Sequence, residues 1–367
     1  MKQSTLMTDL EFALSLKRPH GGTGVNKLCR YIADKVQDHY YYVDFCGNIH
    51  VDLRQDPSHQ TLFIAHVDTV HKDDGINSFI KTANELRSDG TSVLGADDGA
   101  GVALLLHLIN HGVSAYYIFS QGEEKGGIGA NYLADNDEEL LLEFQRAIAF
   151  DRKGTSSIIT HQGSGKCCSD EFALELANQL DESLIYGPDD TGVYTDTAEF
   201  THVIPECTNL SVGYFSEHTT SERLDLNHFN ALADSIVKVN WDSLPTVRSC
   251  ADNSPSKAWS WGYTGSYTYE PPPSLDQEEW YSSKDEEVEA AMLSGALEKA
   301  LEGSFNDLIE CLGNYIHPDD PKIIRSTIKT RYLTLDILSE MLEKLEKGYP
   351  VDAIYEDLFD CATGYVH

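Results

Sequence analysis

Five short segments of this chain carry carboxylates and imidazoles in patterns that suit metal-assisted hydrolysis. They are HVD at 66–68, GADDGAG at 95–101, GEEKGG at 122–127, FDRKG at 150–154 and EHTTSE at 217–222. A two-metal hydrolytic site holds its ions roughly 3.5–4 Å apart, with a water and a carboxylate bridging them. Each ion also needs a histidine and a further carboxylate, and one unligated carboxylate must take a proton from the water. Asp68 follows His66 by two residues, which puts both on one side of an extended strand, where a carboxylate can hold the far ring nitrogen of the imidazole. Asp97 and Asp98 lie between glycines, where the backbone has unusual freedom and one carboxylate can reach two ions. Glu123 and Glu124 are adjacent and would repel, unless a metal takes one and leaves the other as a base. Asp151 and His218 complete the set. Singly, each piece is ordinary: an HxD or an EE pair in an acidic chain is usually solvated surface, Asp151 alone suits a helix cap and His218 a loop. Their order and shared placement make the case.

That placement comes from the elements around them. TLFIAHVDTV at 61–70 and AYYIFS at 115–120 read as buried strands, AIAFD at 147–151 as another with SSIITHQ at 156–162 as its neighbour, and NLSVGYF at 209–215 as a later one. Between them, GVALLLHLINHG reads as a buried helix ended by Gly112, GEEKGGIGANYLA opens a helix, DEFALELANQL is a helix, and LNHFNALADSIVKVNW is an amphipathic closing helix. The stretch from Thr8 to about Val36 is helical with a break at Gly21–Gly22, and YYYVDFCGNIHVDLR alternates as a hairpin around Gly47. Strands alternating with helices predict an α/β three-layer sandwich with a mixed, mostly parallel central sheet. Ligands of such sheets sit beyond the carboxyl ends of the strands. HVD, GEE, Asp151 and EHTTSE each fall at such an end.

After about Trp241 the character changes. Residues 1–245 read as the catalytic domain, 246–275 as a Ser/Pro/Tyr-rich linker, and 276–367 as an acidic α-helical C-terminal extension. The 367 residues allow a sizeable core, and 41% apolar with 24% charged is ordinary for a globular chain. A formal net charge of −33 argues against nucleic acid and anionic membranes as partners. No apolar run is long enough to span a membrane, and the first residues lack a signal-peptide core. The eight cysteines follow no repeated spacing and read as reduced thiols, which predicts a cytoplasmic protein.

AHVDTV, LGADDGAGVA, GEEKGGIGA, FDRKG and EHTTSE together resemble, in order, the metal-site motifs of the dizinc exopeptidase superfamily: zinc aminopeptidases, glutamyl aminopeptidases, peptidase-T-like tripeptidases and deacylase-type amidohydrolases. The resemblance covers roughly residues 8–245. It implies that His66 and Asp151 bind one ion, Glu124 and His218 the other, and that Asp97 bridges them, with a cis Asp97–Asp98 bond. It implies Asp68 as the residue orienting His66 and Glu123 as general base and then acid. The implied cofactors are two divalent ions, zinc first, with cobalt or manganese suited to the same ligands. Lidded relatives insert a domain after the Asp151 motif, and barrel-bearing ones insert it before the bridging aspartate. The short intervals 152–217 and 67–96 leave room for neither, so the chain reads as a core-only version.

Two further acids, Asp196 and Glu199 in TDTAEF, fall where the family has an acidic loop lining the substrate, and would receive a substrate amine. A solvated turn is the plain alternative for them. Arg152 and Lys153 balance local charge, and His71, His161 and His202 read as structural or surface histidines. The expected activity is hydrolysis of a peptide or amide bond, as an aminopeptidase or small-peptide hydrolase. The alternatives are an N-acyl amidohydrolase and an idle binding protein of the same fold. The C-terminal region is expected to serve oligomerisation, a protein partner or the substrate rim.

Overall fold

Every residue of Thr61–His66 is buried, as a continuous apolar run in the middle of a parallel sheet requires. In the computed structural model this strand lies at the centre of an eight-stranded sheet. The structure describes residues 2–163 and 165–250, and beyond them only 293–294, 296–297, 299–301, 308, 335–347, 354–355 and 358. The sheet strands, in chain order, are β1 (Tyr40–Val43), β2 (Ile49–Asp52), β3 (Thr61–His66), β4 (Tyr116–Ser120), β5 (Arg146–Arg152), β6 (Ser157–Ile159), β7 (Gly187–Asp189) and β8 (Glu206–Ser211). Their spatial order is β7-β6-β8-β5-β3-β4-β2-β1. The four central strands β8, β5, β3 and β4 are mutually parallel, while β2 pairs with β4 and β6 with β8 antiparallel. The sheet is therefore mixed and mostly parallel at its centre, with helices flanking it.

The flanking helices include α1 (Lys2–Leu14), α2 (Thr23–Val36), α3 (Ala96–Asn110), α4 (Ile128–Asn136), α5 (Asp170–Gln179) and α6 (Leu226–Ile236). Helix α3 is buried along almost its whole length and packs on β3 and β5. Helix α6 is amphipathic and starts at Asp225, whose carboxylate accepts from the amides of Asn227 and His228. Phe63 on β3 anchors the core: its ring stacks on Phe150 at 5.8 Å and meets Trp241 edge-on at 4.8 Å. Burying each such ring contributes about 1.5–3 kcal/mol.

A second, four-stranded antiparallel sheet orders Tyr214–Phe215, Arg223–Asp225, Glu85–Ser88 and Phe79–Lys81. It matters because the segment 216–222 is the connection within its first hairpin.

Some expectations need correction. SSIITHQ is not the neighbour of AIAFD: β8 inserts between β5 and β6, because a strand that arrives later in the chain takes the parallel slot beside β5. The GEEKGG segment does not open its helix directly. It forms a short 3-10 turn over Glu123–Lys125, and α4 starts only at Ile128, after Gly126 and Gly127 at positive φ. The helix read at GVALLL begins five residues earlier, with non-helical backbone at Asp97 and Asp98.

The chain divides into two compact units, Met1–Tyr41 with Cys46–Ser254, and Tyr42–Phe45 with Pro255–His367. The first unit runs beyond the expected boundary at 245. The amides of Val247 and Arg248 donate to the buried carboxylate of Glu206 at 2.7 and 2.9 Å, so these residues belong to the core packing. Most of the expected linker, 251–275, lies outside the described residues, as does much of the C-terminal region. Within the latter, Leu335–Glu346 is helical, as its apolar spacing predicts.

Candidate metal centre

The parallel strands deliver the candidate residues to one end of the sheet. His66 is the last residue of β3, Glu123 and Glu124 follow β4 after a left-handed Gly122, and Asp151 lies near the end of β5. Asp97 enters from the N-terminal end of α3, and His218 from the 216–222 connection beyond β8. His218 has φ +61°, a conformation that non-glycine residues seldom adopt and that recurs at functional sites. The Asp97–Asp98 peptide is cis.

The geometry centres on Asp97. One oxygen, Oδ1, is 3.1 Å from His66 Nε2, and the other, Oδ2, is 3.0 Å from His218 Nε2. His218 Nε2 is also 2.8 Å from Glu124 Oε1. Asp151 Oδ1 lies 3.7 Å and Glu123 Oε2 4.0 Å from His66 Nε2. His66, Asp97, Glu123, Glu124, Asp151 and His218 are thus gathered, and Asp98 lies with His66 and Asp151. Potential ligand atoms come within 4.8 Å of one another in three overlapping groups: His66 with Asp98 and Asp151, His66 with Glu123 and Glu124, and Asp97 with Glu124 and His218.

The surroundings hold these groups in place. His66 Nδ1 faces the main-chain carbonyl of Asp68 at 3.1 Å, with the Asp68 carboxylate farther off at 3.6 Å. The same carboxylate accepts from the Glu123 amide at 3.2 Å, so Asp68 ties the imidazole strand to the glutamate turn. Asp151 accepts from Tyr214 Oη at 3.0 Å and Thr195 Oγ1 at 2.7 Å. Asp98 is fully buried, and its carboxylate accepts from the amides of Gly101 and His66 at 2.9 and 3.2 Å. A Cβ on Gly101 would lie 2.4 Å from that carboxylate, which is why glycine stands there.

Electrostatically the centre is a concentration of buried acid. Burial pushes Glu123 well up, reinforced by the charges of Asp151 and Asp196. Burial and the Asp97 charge push Asp151 up to about 6. For Asp97, the bonds from His218 and His66 outweigh burial and hold its carboxyl well below the usual range. Hydrogen bonds to Asp97 and Glu124 push His218 up to about 11. Such a set of imidazole nitrogens and carboxylate oxygens fits divalent cations, which would neutralise it. Asp68 Oδ2, buried beside it, has no hydrogen-bond partner among the described residues.

The remaining candidates divide. Asp196 is 2% exposed and accepts from Ser120 Oγ, while its Oδ1 has no hydrogen-bond partner among the described residues. Burial pushes it up to about 7. Glu199 is less buried and is hydrogen-bonded by Tyr194. Arg152 bonds Thr191 and approaches Asp189, and Lys153 pairs with Glu217 at 2.6 Å, so both balance local acids. His71 is buried beneath the site, bonded through Nδ1 to Thr69 Oγ1 at 2.5 Å. Two residues that the sequence reading missed stand out: Arg18 and Glu222. Glu222 is the last letter of the EHTTSE segment, a signal that pointed there without saying what it does. Arg18, in KRPH, had no signal.

The fold and this cluster define an α/β protein with a carboxylate–imidazole centre at the ends of its parallel strands. The sequence profile of peptidase family M28 matches residues 48–251, more than half the chain, and the chain belongs to that family of metal-dependent peptidases. An uncharacterised protein of Bacillus subtilis, YqjE, is 34% identical over 96 residues, a stretch that covers 24% of this chain and 25% of that protein. Among solved structures, aminopeptidase PepT from Bacillus cereus superposes with a TM-score of 0.56 at 16% identity, over 65% of this chain and 98% of its own. The TET1 peptidase of Pyrococcus horikoshii superposes with a TM-score of 0.51 at 18% identity, over 64% and 98%. At these identities the likeness is one of fold. No described helix is long and apolar enough to cross a membrane.

Proposed function

We propose that this chain is a co-catalytic two-metal hydrolase that removes residues from the amino end of small peptides. The observation carrying this reading is the Asp97 carboxylate, split between two imidazoles with one oxygen 3.1 Å from His66 Nε2 and the other 3.0 Å from His218 Nε2. His66 and Asp151 would hold one ion, Glu124 and His218 the other, and Asp97 both, with zinc as the native metal. When bound, the ions supply Lewis acidity, polarising a carbonyl and acidifying water. Glu123 then accepts the water proton and returns it to the leaving amine. Its backbone is pinned by Asp68, so its carboxylate stays near His66 without taking an imidazole contact shorter than 4.0 Å. Asp68 orients His66. Asp196 and Glu199 form the acidic side toward which a substrate ammonium group would lie. The relatives named as aminopeptidases support the substrate class, and the 152–217 interval leaves the site without a lid domain. The extension beyond 254 would serve assembly or a partner. A cytoplasmic address accords with the free thiols of Cys29, Cys167, Cys168, Cys207 and Cys250.

The test is a hydrolysis screen with aminoacyl, N-acyl, dipeptide and tripeptide substrates, with and without chelator. Chelator-sensitive release of amino-terminal residues is expected. Activity confined to N-acyl substrates would replace the reading with an amidohydrolase, and no chelator-sensitive activity would replace it with a binding protein.

A further inference from the structure

Glu222 is 1% exposed, four residues after His218 on the same connection. Its carboxylate accepts four consecutive backbone amides. Oε2 takes Leu94 at 2.8 Å and Gly95 at 3.0 Å, and Oε1 takes Ala96 at 2.8 Å and Asp97 at 3.2 Å. Amides converging in this way form a cradle that usually receives an external anion. Here the chain fills it with its own side chain. Gly95, at φ +76°, gives the segment the turn that aims its amides one way.

The opposite side of the segment is held by Arg18, which is fully buried. Its Nη2 donates to the Gly95 carbonyl at 3.0 Å and its Nε to the Val67 carbonyl at 2.8 Å, while Nη1 reaches the Ala13 carbonyl. Its own carbonyl accepts from Thr69 at 2.8 Å. Gly95 is therefore gripped at its amide by Glu222 and at its carbonyl by Arg18. The Arg18 contacts run directly into the strand end that carries His66 and Asp68.

We propose that Glu222, backed by Arg18, is a positioning residue for the metal centre: it fixes the Leu94–Asp97 backbone before any ion arrives and couples Asp97 to the loop carrying His218. This inference rests on the metal reading given above. The coupling follows from connectivity, because one short connection supplies both a candidate ligand and the anchor of the carboxylate between the two imidazoles. A carboxylate is required, since four donors need two accepting oxygens. Glutamine offers one, and would turn an NH2 group toward two amides. Partners outside the ligands that orient them change metal affinity by about 10–100-fold.

The experiment uses the full chain stripped of metal. Amide hydrogen exchange at Leu94–Asp97 is measured first, and strong protection without metal is expected. Cobalt(II) is then titrated against a competing chelator, with its visible absorption as readout, into the parent, Glu222→Gln and Glu206→Gln. Glu206 is the control, a buried carboxylate that accepts from Ser169, Val247 and Arg248 rather than from the metal-site backbone. Glu222→Gln is expected to weaken cobalt binding about 10–100-fold and to alter the absorption, whereas Glu206→Gln leaves both unchanged. Affinity within about twofold of the parent in Glu222→Gln, or an equal loss in Glu206→Gln, overturns the proposal. So do amides that exchange freely until metal is added, a measurement that decides the matter even where Glu222→Gln does not fold. A parent that binds no cobalt removes the metal reading itself, which tight parental binding with an unaffected variant does not.

Discussion

Glu123→Gln separates the base from the ligands. The substitution keeps the shape of the side chain and removes its capacity to accept and return a proton. The backbone contact holding the turn, the Glu123 amide on Asp68 Oδ1 at 3.2 Å, is untouched. The contacts among His218, Glu124 and Asp97, at 2.8 and 3.0 Å, do not involve Glu123. Metal content should therefore stay at the parental value. General acid–base assistance is worth about 10²–10⁴ in rate, and the variant should lose kcat by that factor. At about 1.4 kcal/mol per tenfold, the barrier rises by about 3–5.5 kcal/mol. KM should change little, because the group acts on the proton rather than on the bound peptide. The assay pairs steady-state hydrolysis of the best substrate from the screen with elemental analysis of the same preparation. Parental kcat at parental metal content would refute the assignment of Glu123 as base. Lost metal together with lost turnover would instead move Glu123 into the ligand set, beside His66 and Glu124, whose potential ligand atoms lie within 4.8 Å of its own.

Asp97→Asn leaves one carbonyl oxygen where two carboxylate oxygens now face His66 and His218, so metal per chain should fall below the parental value; unchanged content by elemental analysis would count against a bridging role. Glu206→Gln leaves one oxygen for donors on two sides, Ser169 and the Val247–Arg248 amides, and loses at least one charge-assisted bond worth about 1.5–3 kcal/mol. The melting temperature of the first unit should drop by roughly 3–12 °C, and a change under about 1 °C would show that residues 247–248 are not held by this carboxylate. Burial, reinforced by the Arg18 cation, pushes His71 down to about 4. The unfolded chain then binds more protons than the folded one between about pH 6.5 and 4, so this contribution to stability is lost as pH falls through that window. His71→Gln should flatten melting temperature against pH there, and a parallel curve would rule the contribution out.

What the sequence made legible, and what it hid, divides along a physical line. Ligand chemistry is written in residue type. A carboxylate or imidazole at the end of an apolar strand is visible because polar groups interrupt a buried pattern only for a reason, and HVD, GEEKGG and FDRKG could be read in that way. The three-layer α/β class followed from the same alternation. Strand order did not, because β8 reaches its slot beside β5 through packing that no local pattern encodes. The supporting residues were hidden for a related reason. Arg18 and Glu222 act on backbone amides and carbonyls, which every residue possesses, so no partner residue type marks their targets. Glu222 and Asp97 are 125 positions apart in the chain and meet only because the 216–222 connection folds over the start of α3. The acidic pair Asp196 and Glu199 shows the opposite case. A solvated turn is the plain alternative for these residue types, yet Asp196 is 2% exposed and bonded to Ser120, because the turn lies against the strand ends β3, β5 and β8. Acid in that position adds to the buried negative charge of the centre. A site this rich in buried carboxylate, beside a fully buried Arg18 that is spent on backbone carbonyls, is one that divalent cations would neutralise and stabilise.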